Sequence, residues 1–350
     1  MTKTINIAVI GASGYTGADA IRLAARHPGI SIKALTANTH AGQPVAAVWP
    51  HLAGLDLPDM VKSEDVDWAD IDAAFVGLPH GTAQDVIAAI PDHVRIIDIS
   101  ADFRLRDPAT YEQWYGRPHD APELLKQAVY GLTEHYRDEI RGARLVACPG
   151  CYPTATLLLL LPLVKAGLIG LDDLIIDAKS GVSGAGRGLK QNTLFCEAGE
   201  GLSPYAVGRH RHAPEIEQEL ARASGRSANE VTVNFTPHLA PMSRGELITA
   251  HARLADGATA ADCEAELARF YADAPFVRLS PGGILPATQH VRGSNDCVLA
   301  VRPDRIPGRV ILISALDNLV KGSSGQAVQN FNLMFGFAET EALTQLPLFP

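Results

Sequence analysis

The stretch VIGASGYTGADAIRLAARHP, residues 9–28, decides how the chain begins to fold. An apolar run, INIAVIGA (5–12), ends in a glycine-rich loop, and the loop opens into a helical pattern. Gly11, Gly14 and Gly17 form GxxGxxG, a variant of the dinucleotide fingerprint. The first glycine permits a tight turn and the second a close approach of a pyrophosphate. The helix N-terminus adds free N–H groups and the positive end of its dipole. Ser13, Tyr15 and Thr16 lie between these glycines and are expected to contact the phosphates.

Four further apolar runs follow: SIKALTA (31–37), AAFVGLP (73–79), RIIDISA (95–101) and RLVACPG (144–150). Helical stretches separate them. This predicts a doubly wound parallel sheet, a Rossmann-type dinucleotide-binding domain, over residues 1–149. The segment 102–141 reads as an insertion of weaker pattern. The second strand ends LTANTHAG, with no Asp or Glu from Thr36 to Gly42 to hold a ribose 2′-hydroxyl. That favours NADP over NAD, with Thr36, Asn38 and His40, helped by Lys33, nearest the 2′-phosphate. Pro79 in GLPHG (77–81) closes another strand and is expected where the cofactor crosses the sheet.

After residue 150 the texture changes. An apolar helix at about 153–166 is followed by strand-like LIIDAKS, VTVNFTPHL, ELITAHARL, FVRLS, CVLAVR and RVILISALD, with helical patterns only near 213–223 and 260–272. This predicts an α+β substrate domain with a mixed sheet over residues 150–318, which also makes the subunit contact. The tail NLVKGSSGQAVQNFNLMFGF reads as a long helix after a Gly-Ser turn, and residues 319–350 are assigned back to the first domain.

Composition bounds the function. The chain has 350 residues, and its formal charge of 30 − 39 = −9 argues against a nucleic-acid groove. The N-terminus carries no pattern of a secretory signal, and the apolar run 155–164 is interrupted by Pro162 and too short to span a bilayer. Five cysteines do not make a disulfide framework. A cytoplasmic, metal-free protein is expected.

LVACPGCYPTATLLLLL (145–161) holds the chemistry. A dithiol reading of Cys148 and Cys151 is weakened by their place after a complete dinucleotide pattern. A zinc reading fails because Cys196, Cys263 and Cys297 are isolated. Cys151 stands where the buried helix starts, and a helix N-terminus favours a thiolate. Cys148 falls at the end of the preceding strand and reads as a small buried hydrophobe. Of His210 and His212, alternate residues that an extended segment would point to opposite sides, His212 is preferred. Glu215 lies three residues on, at the start of a helix, where its carboxylate can orient the ring.

CPGCYPTAT (148–156) resembles the active-site block of the N-acetyl-γ-glutamyl-phosphate reductases, relatives of aspartate-semialdehyde dehydrogenase. The blocks 11–23, 98–107, 129–134, 179–187, 208–216, 236–245, 291–295 and 317–334 carry the same likeness across nearly the whole chain. The block departs from the family at Cys148, where Asn is common. The resemblance implies NADPH-dependent reduction of N-acetyl-γ-glutamyl phosphate to the 5-semialdehyde, with loss of phosphate, through a cysteine thioester on Cys151. It implies His212 as acid–base, and cations for the phosphate and carboxylate among Arg104, Lys179, Arg187, Arg209, Arg211, Arg244 and Arg292; Arg104, Arg209, Arg211 and Arg244 are the substrate-binding candidates. Ser180, Gly181 and Asn318 join the cofactor set. A homo-oligomer, dimer or tetramer, is the expected assembly, with no nucleic-acid or membrane partner. A carrier-protein-linked aminoadipyl-phosphate reductase of lysine biosynthesis, an aspartyl-phosphate enzyme and a non-enzymatic dinucleotide sensor are the competing readings.

Overall fold

Each apolar run of the first 150 residues becomes a strand, and the glycine loop joins the first of them to the first helix. A computed structural model describes residues 4–349. The chain divides into two units, one formed by the residues up to Pro149 with Ser323–Thr344, the other by Gly150–Gly322 with the last residues. Residues 319–322, assigned to the first domain from sequence, thus fall in the second unit, as does the chain after Thr344.

The first unit runs β1 (Ile5–Ile10), α1 (Tyr15–Ala24), β2 (Ile30–Thr36), β3 (Met60–Val61), β4 (Ala73–Val76), α2 (Ala83–Ala89), β5 (Arg95–Asp98), α3 (Pro108–Tyr115), α4 (Pro122–Leu125), β6 (Val129–Tyr130), α5 (Thr133–Gly142) and β7 (Leu145–Ala147). The sheet order is β3-β2-β1-β4-β5-β7-β6, and every pairing is parallel. β4 is buried at all four positions, as a strand covered on both faces must be. Chain order reverses between β1 and β4, so the crevice at their carboxyl ends is the switch point where such sheets bind ligands. The weakly patterned segment 102–141 holds α3, α4, β6 and most of α5. The first of its helices is capped locally: Asp107 accepts the N–H groups of Ala109 and Thr110 at the start of α3.

The returning helix Gly325–Phe335 explains its own polarity. Gln326, Gln329, Asn330 and Asn332 are wholly buried. Asn330 donates to the Gly131 carbonyl at 2.8 Å and accepts from the Thr133 hydroxyl at 2.7 Å. Asn332 meets His27 at 2.8 Å, and Gln329 donates to Glu134 at 3.0 Å. These amides stitch the helix into the first unit.

The second unit runs α6 (Cys151–Lys165), β8 (Ile175–Gly181), α7 (Phe195–Ala198), β9 (Ser203–Pro204), α8 (Ala213–Ser224), β10 (Asn234–Ala240), β11 (Glu246–Arg253), α9 (Ala260–Phe270), β12 (Val277–Leu279), β13 (Cys297–Pro303) and β14 (Arg309–Leu316). Its sheet, β12-β13-β14-β11-β8-β10-β9, mixes parallel and antiparallel pairs. α6 is buried on every side from Tyr152 to Val164, because the sheet, α8 and α9 all pack on it. The Ser314 hydroxyl donates to the Ala155 carbonyl at 2.9 Å, which fixes the face of the sheet that α6 covers. On the other face Ile175, Asp177, Lys179, Leu247, Thr249, His251, Ile311 and Ile313 remain half-exposed. Among the described residues no helix is long and apolar enough to cross a membrane.

Candidate active site

The glycine loop lies in the first unit and Cys151 in the second. In the first, Gly11 has φ +88°, and a Cβ there would stand 2.4 Å from the Gly77 carbonyl oxygen. Gly17 is as tightly held: its Cβ would meet the Gly11 oxygen at 2.3 Å. The loops after β1 and β4 therefore close on each other because both are glycine. Gly14, whose Cβ would make only ordinary contact at 3.5 Å, caps α1 without a side chain. That leaves the first-turn amides of α1 at Tyr15, Thr16 and Gly17 with no partner inside the helix, a cradle suited to a pyrophosphate. The loop is braced from outside by Trp49, which donates to the Ala12 carbonyl at 3.0 Å, and by Ser324, which donates to the Thr16 carbonyl at 2.8 Å.

Thr36 is committed to that loop. It is buried, and its hydroxyl oxygen accepts the Gly11 N–H at 3.2 Å and lies 3.4 Å from the Ser63 hydroxyl. Asn38 is exposed just after β2, Lys33 is exposed in the middle of that strand, and Pro79 is exposed just after β4. Arg104 is 8 % exposed; its Nε donates to the Cys148 carbonyl at 2.8 Å and a terminal nitrogen to the Ile99 carbonyl at 3.0 Å. It braces the strand ends on which Cys148 sits. Cys148 itself has no exposure, its sulfur accepts from Asn330 at 3.6 Å, and burial pushes its thiol up to about 12.

In the second unit Cys151 is the first residue of α6, half-buried, after Gly150 as N-cap. Gly150 donates its N–H to Glu215 Oε1 at 2.9 Å, and Glu215 is 1 % exposed. The carboxylate at the start of α8 thus pins the residue before the cysteine. The His212 ring lies against Gly150: a Cβ there would come 2.4 Å from Nε2. Only a residue without a side chain lets the imidazole sit against the position before Cys151. Tyr152 packs edge-on against His210 and His212, with centroids 5.7 and 5.8 Å away.

The expectation that His210 and His212 diverge is corrected here. The segment turns into α8 instead of running extended, with His212 at φ −82°, ψ −16°, and the two rings lie 4.7 Å apart. They differ in role. His210 Nδ1 accepts the His212 N–H at 3.1 Å, and burial lowers its pKa to about 4, so its ring stays neutral.

Of the cations, Arg209 is exposed, Arg211 half-exposed, and Arg244 lies 3.6 Å from the fully buried Asp317. Lys179 pairs with Asp177 at 2.9 Å. Asn318 accepts the Gly245 N–H at 2.8 Å and donates to the Ser183 hydroxyl at 2.9 Å; Ser180 and Gly181 end the neighbouring strand. Two residues escaped the sequence reading. Gly150 was legible only as half of a Pro-Gly turn. Glu246 is in phase with buried Ile248, Ala250 and Ala252 along ELITAHAR, a period-two signal that marks it as a buried carboxyl.

The chain matches two family models, described as the NAD-binding domain of semialdehyde dehydrogenase over residues 6–143 and its dimerisation domain over 151–318. It is 55 % identical to the N-acetyl-gamma-glutamyl-phosphate reductase of Rhodospirillum rubrum, with all of both chains covered. It is 53 % identical to the probable chloroplastic enzyme of that name from Arabidopsis thaliana, over 99 % of this chain and 86 % of the other. Among solved structures, aspartate semialdehyde dehydrogenase II of Vibrio cholerae, complexed with ASA, superposes with a TM-score of 0.70 at 17 % identity, over 95 % of this chain and 98 % of that one. The Candida albicans aspartate semialdehyde dehydrogenase with NADP gives 0.68 at 17 %, over the same shares. The fold matches these structures, and the full-length identities place the chain closer still: it belongs to the semialdehyde dehydrogenase family, in its N-acetyl-γ-glutamyl-phosphate reductase branch.

Proposed function

We propose that the chain reduces N-acetyl-γ-glutamyl phosphate to N-acetylglutamate 5-semialdehyde and releases phosphate, with Cys151 as nucleophile. The observation that carries the reading is the seating of the His212 imidazole on Gly150, beside the first residue of α6. The Cys151 thiolate attacks the γ-carbonyl and phosphate leaves, giving a thioester. The proton of the thiol passes to the imidazole, which assists the later collapse of the hemithioacetal to the aldehyde. Glu215 holds the Gly150 amide and keeps the start of α6 beside the ring.

Gly11 and Gly17 and the first-turn amides of α1 fit a dinucleotide pyrophosphate, with Ser13, Tyr15 and Thr16 lining the loop. A nicotinamide coenzyme bound there supplies the hydride that reduces the thioester carbon. NADP is the form supported by the lack of any carboxylate from Thr36 to Gly42 and by exposed Asn38 just after β2. Pro79, Ser180, Gly181 and Asn318 are proposed as further cofactor contacts. Arg209, Arg211 and Arg244 are proposed for the anionic ends of the substrate; Arg104, held by two carbonyls, acts through the strand ends. A homodimer through the half-exposed face of the second sheet is supported by its row of Ile175, Ile311 and Ile313 and by the matched domain's description.

Product formation from free N-acetylglutamyl phosphate and NADPH, followed by phosphate release, tests the function. Turnover of the free compound is expected. Reduction only of an acyl phosphate carried on a protein would transfer the assignment to the lysine-pathway reading.

A further inference from the structure

Asp102 follows β5 at the carboxyl edge of the first sheet and has no exposure. Its partners lie on the loop that joins β4 to α2. Gly81 donates its N–H to both carboxyl oxygens, at 2.8 and 2.9 Å, and Ala83 donates to Oδ2 at 3.2 Å. From α3 the Tyr111 hydroxyl donates to Oδ1 at 3.0 Å and accepts from the Gln84 amide at 2.7 Å. His119 Nδ1 accepts the Ala121 N–H, so Nε2 carries the proton and donates to the Asp102 carbonyl at 3.0 Å. A buried carboxyl group is tolerated here because donors surround it. Most of those donors are backbone of the neighbouring loop.

That loop is tied at both ends. At its start Gly77 donates its N–H to the Ile10 carbonyl at 2.8 Å, and its own carbonyl lies against Gly11. At its end Gly81 takes φ +77°, and its carbonyl accepts from Arg117 at 3.0 Å. Between the ties Pro79 and His80 stand exposed, and the Thr82 hydroxyl donates to the Pro79 carbonyl at 2.6 Å. The tip lies at the carboxyl end of β4, beside the switch point of the sheet. We propose that Asp102 is a positioning residue for the nicotinamide coenzyme: it holds the Gly81 end of the loop so that Pro79 and His80 stand ready for the bound dinucleotide. A loop ordered in advance loses little freedom when the ligand arrives. The Gly81 and Ala83 amides face the protein's own carboxylate, so the phosphates are left to the first turn of α1.

This inference rests on the reading of the chain as a nicotinamide-coenzyme enzyme, and the experiment separates the two. Full-length wild type, Asp102→Asn and Gly81→Ala are titrated with NADPH by calorimetry. Deuterium exchange over residues 81–84 and the rate of iodoacetamide labelling at Cys151, without coenzyme, are read by mass spectrometry. Asp102→Asn keeps the shape of the side chain and removes one of its two acceptor oxygens. It is expected to speed exchange over 81–84 and to weaken NADPH roughly tenfold, with KM for NADPH rising in step. The Cys151 labelling rate, read in the other unit, is expected to stay within about twofold of wild type. Gly81→Ala leaves the carboxylate in place and strains the loop at a positive φ, and the same selective loss is expected. NADPH affinity unchanged in Asp102→Asn despite faster exchange overturns the proposal. So does a loss of NADPH affinity matched by an equal change in Cys151 labelling, which marks a general packing role. If Asp102→Asn does not fold, Gly81→Ala decides, and unchanged affinity there overturns the proposal. A wild type that binds no nicotinamide coenzyme removes the cofactor reading, and this inference with it.

Discussion

The His212 imidazole occupies the place where Gly150 would carry a side chain: a Cβ there would lie 2.4 Å from Nε2, 2.7 Å from Cε1 and 2.8 Å from Cδ2. Gly150→Ala therefore has to displace the ring or the start of α6. Since Gly150 has an ordinary φ of −62°, the substitution brings no backbone strain to confuse the result. Activity is expected to fall at least tenfold in kcat with the fold retained, and His212→Asn to fall roughly 100- to 10,000-fold, the range for losing a general acid–base. Wild-type turnover by Gly150→Ala, with an unchanged thermal transition, would show that the imidazole is not held for catalysis.

The two cysteines of the CPGC block are expected to behave as strangers. Cys148 is buried with its thiol pushed up to about 12, whereas Cys151 opens a helix and is half-buried. Iodoacetamide near neutral pH should label Cys151 first. Cys151→Ser should abolish turnover and leave NADP binding nearly intact. Cys148→Ala should keep most activity and lose roughly 1 kcal/mol of stability. Equal loss of activity from both substitutions points instead to a dithiol.

Cofactor choice is checked by titration of the intact protein with NADP and NAD. Tighter NADP binding is expected. A tenfold preference for NAD, about 1.4 kcal/mol the other way, contradicts the argument from residues 36–42. Gly17→Ala, whose methyl would meet the Gly11 oxygen at 2.3 Å, should weaken either nucleotide at least tenfold.

Asp98 makes stability depend on pH. It has no exposure, one carboxyl oxygen accepts the Ser100 N–H at 2.8 Å, and burial raises its pKa from 3.8 to about 7. Between those values the folded chain keeps a proton that the unfolded chain has released, so stability from this group falls as pH rises from about 4 to 7. Asp98→Asn keeps the acceptor and removes the ionisation. Its melting temperature should exceed that of wild type above pH 7, and the gap should close toward pH 4. A gap independent of pH refutes the assignment.

What the sequence determined on its own was local. Continuous apolar runs marked β1, β4 and β5 because a parallel strand covered on both faces has no polar side to show. The glycines at 11, 14 and 17 and the cysteine heading a leucine-rich helix were legible because a loop conformation and a helix start are properties of neighbouring residues. The polar residues of Gly325–Phe335 were visible too, although their bonds with Gly131, Thr133 and His27 were not.

Only the tertiary structure decided which distant residues meet. Glu215 reaches Gly150 across 65 residues, and Arg104 reaches the Cys148 carbonyl across 44. His210 and His212 share one side because the chain bends into α8, a bend that alternation along a strand could not foresee. Period two along ELITAHAR puts Glu246 on the buried face of β11; the packing of α6 on the sheet decided what covers that face. Periodicity records which face of an element is buried, but not what the fold lays against it.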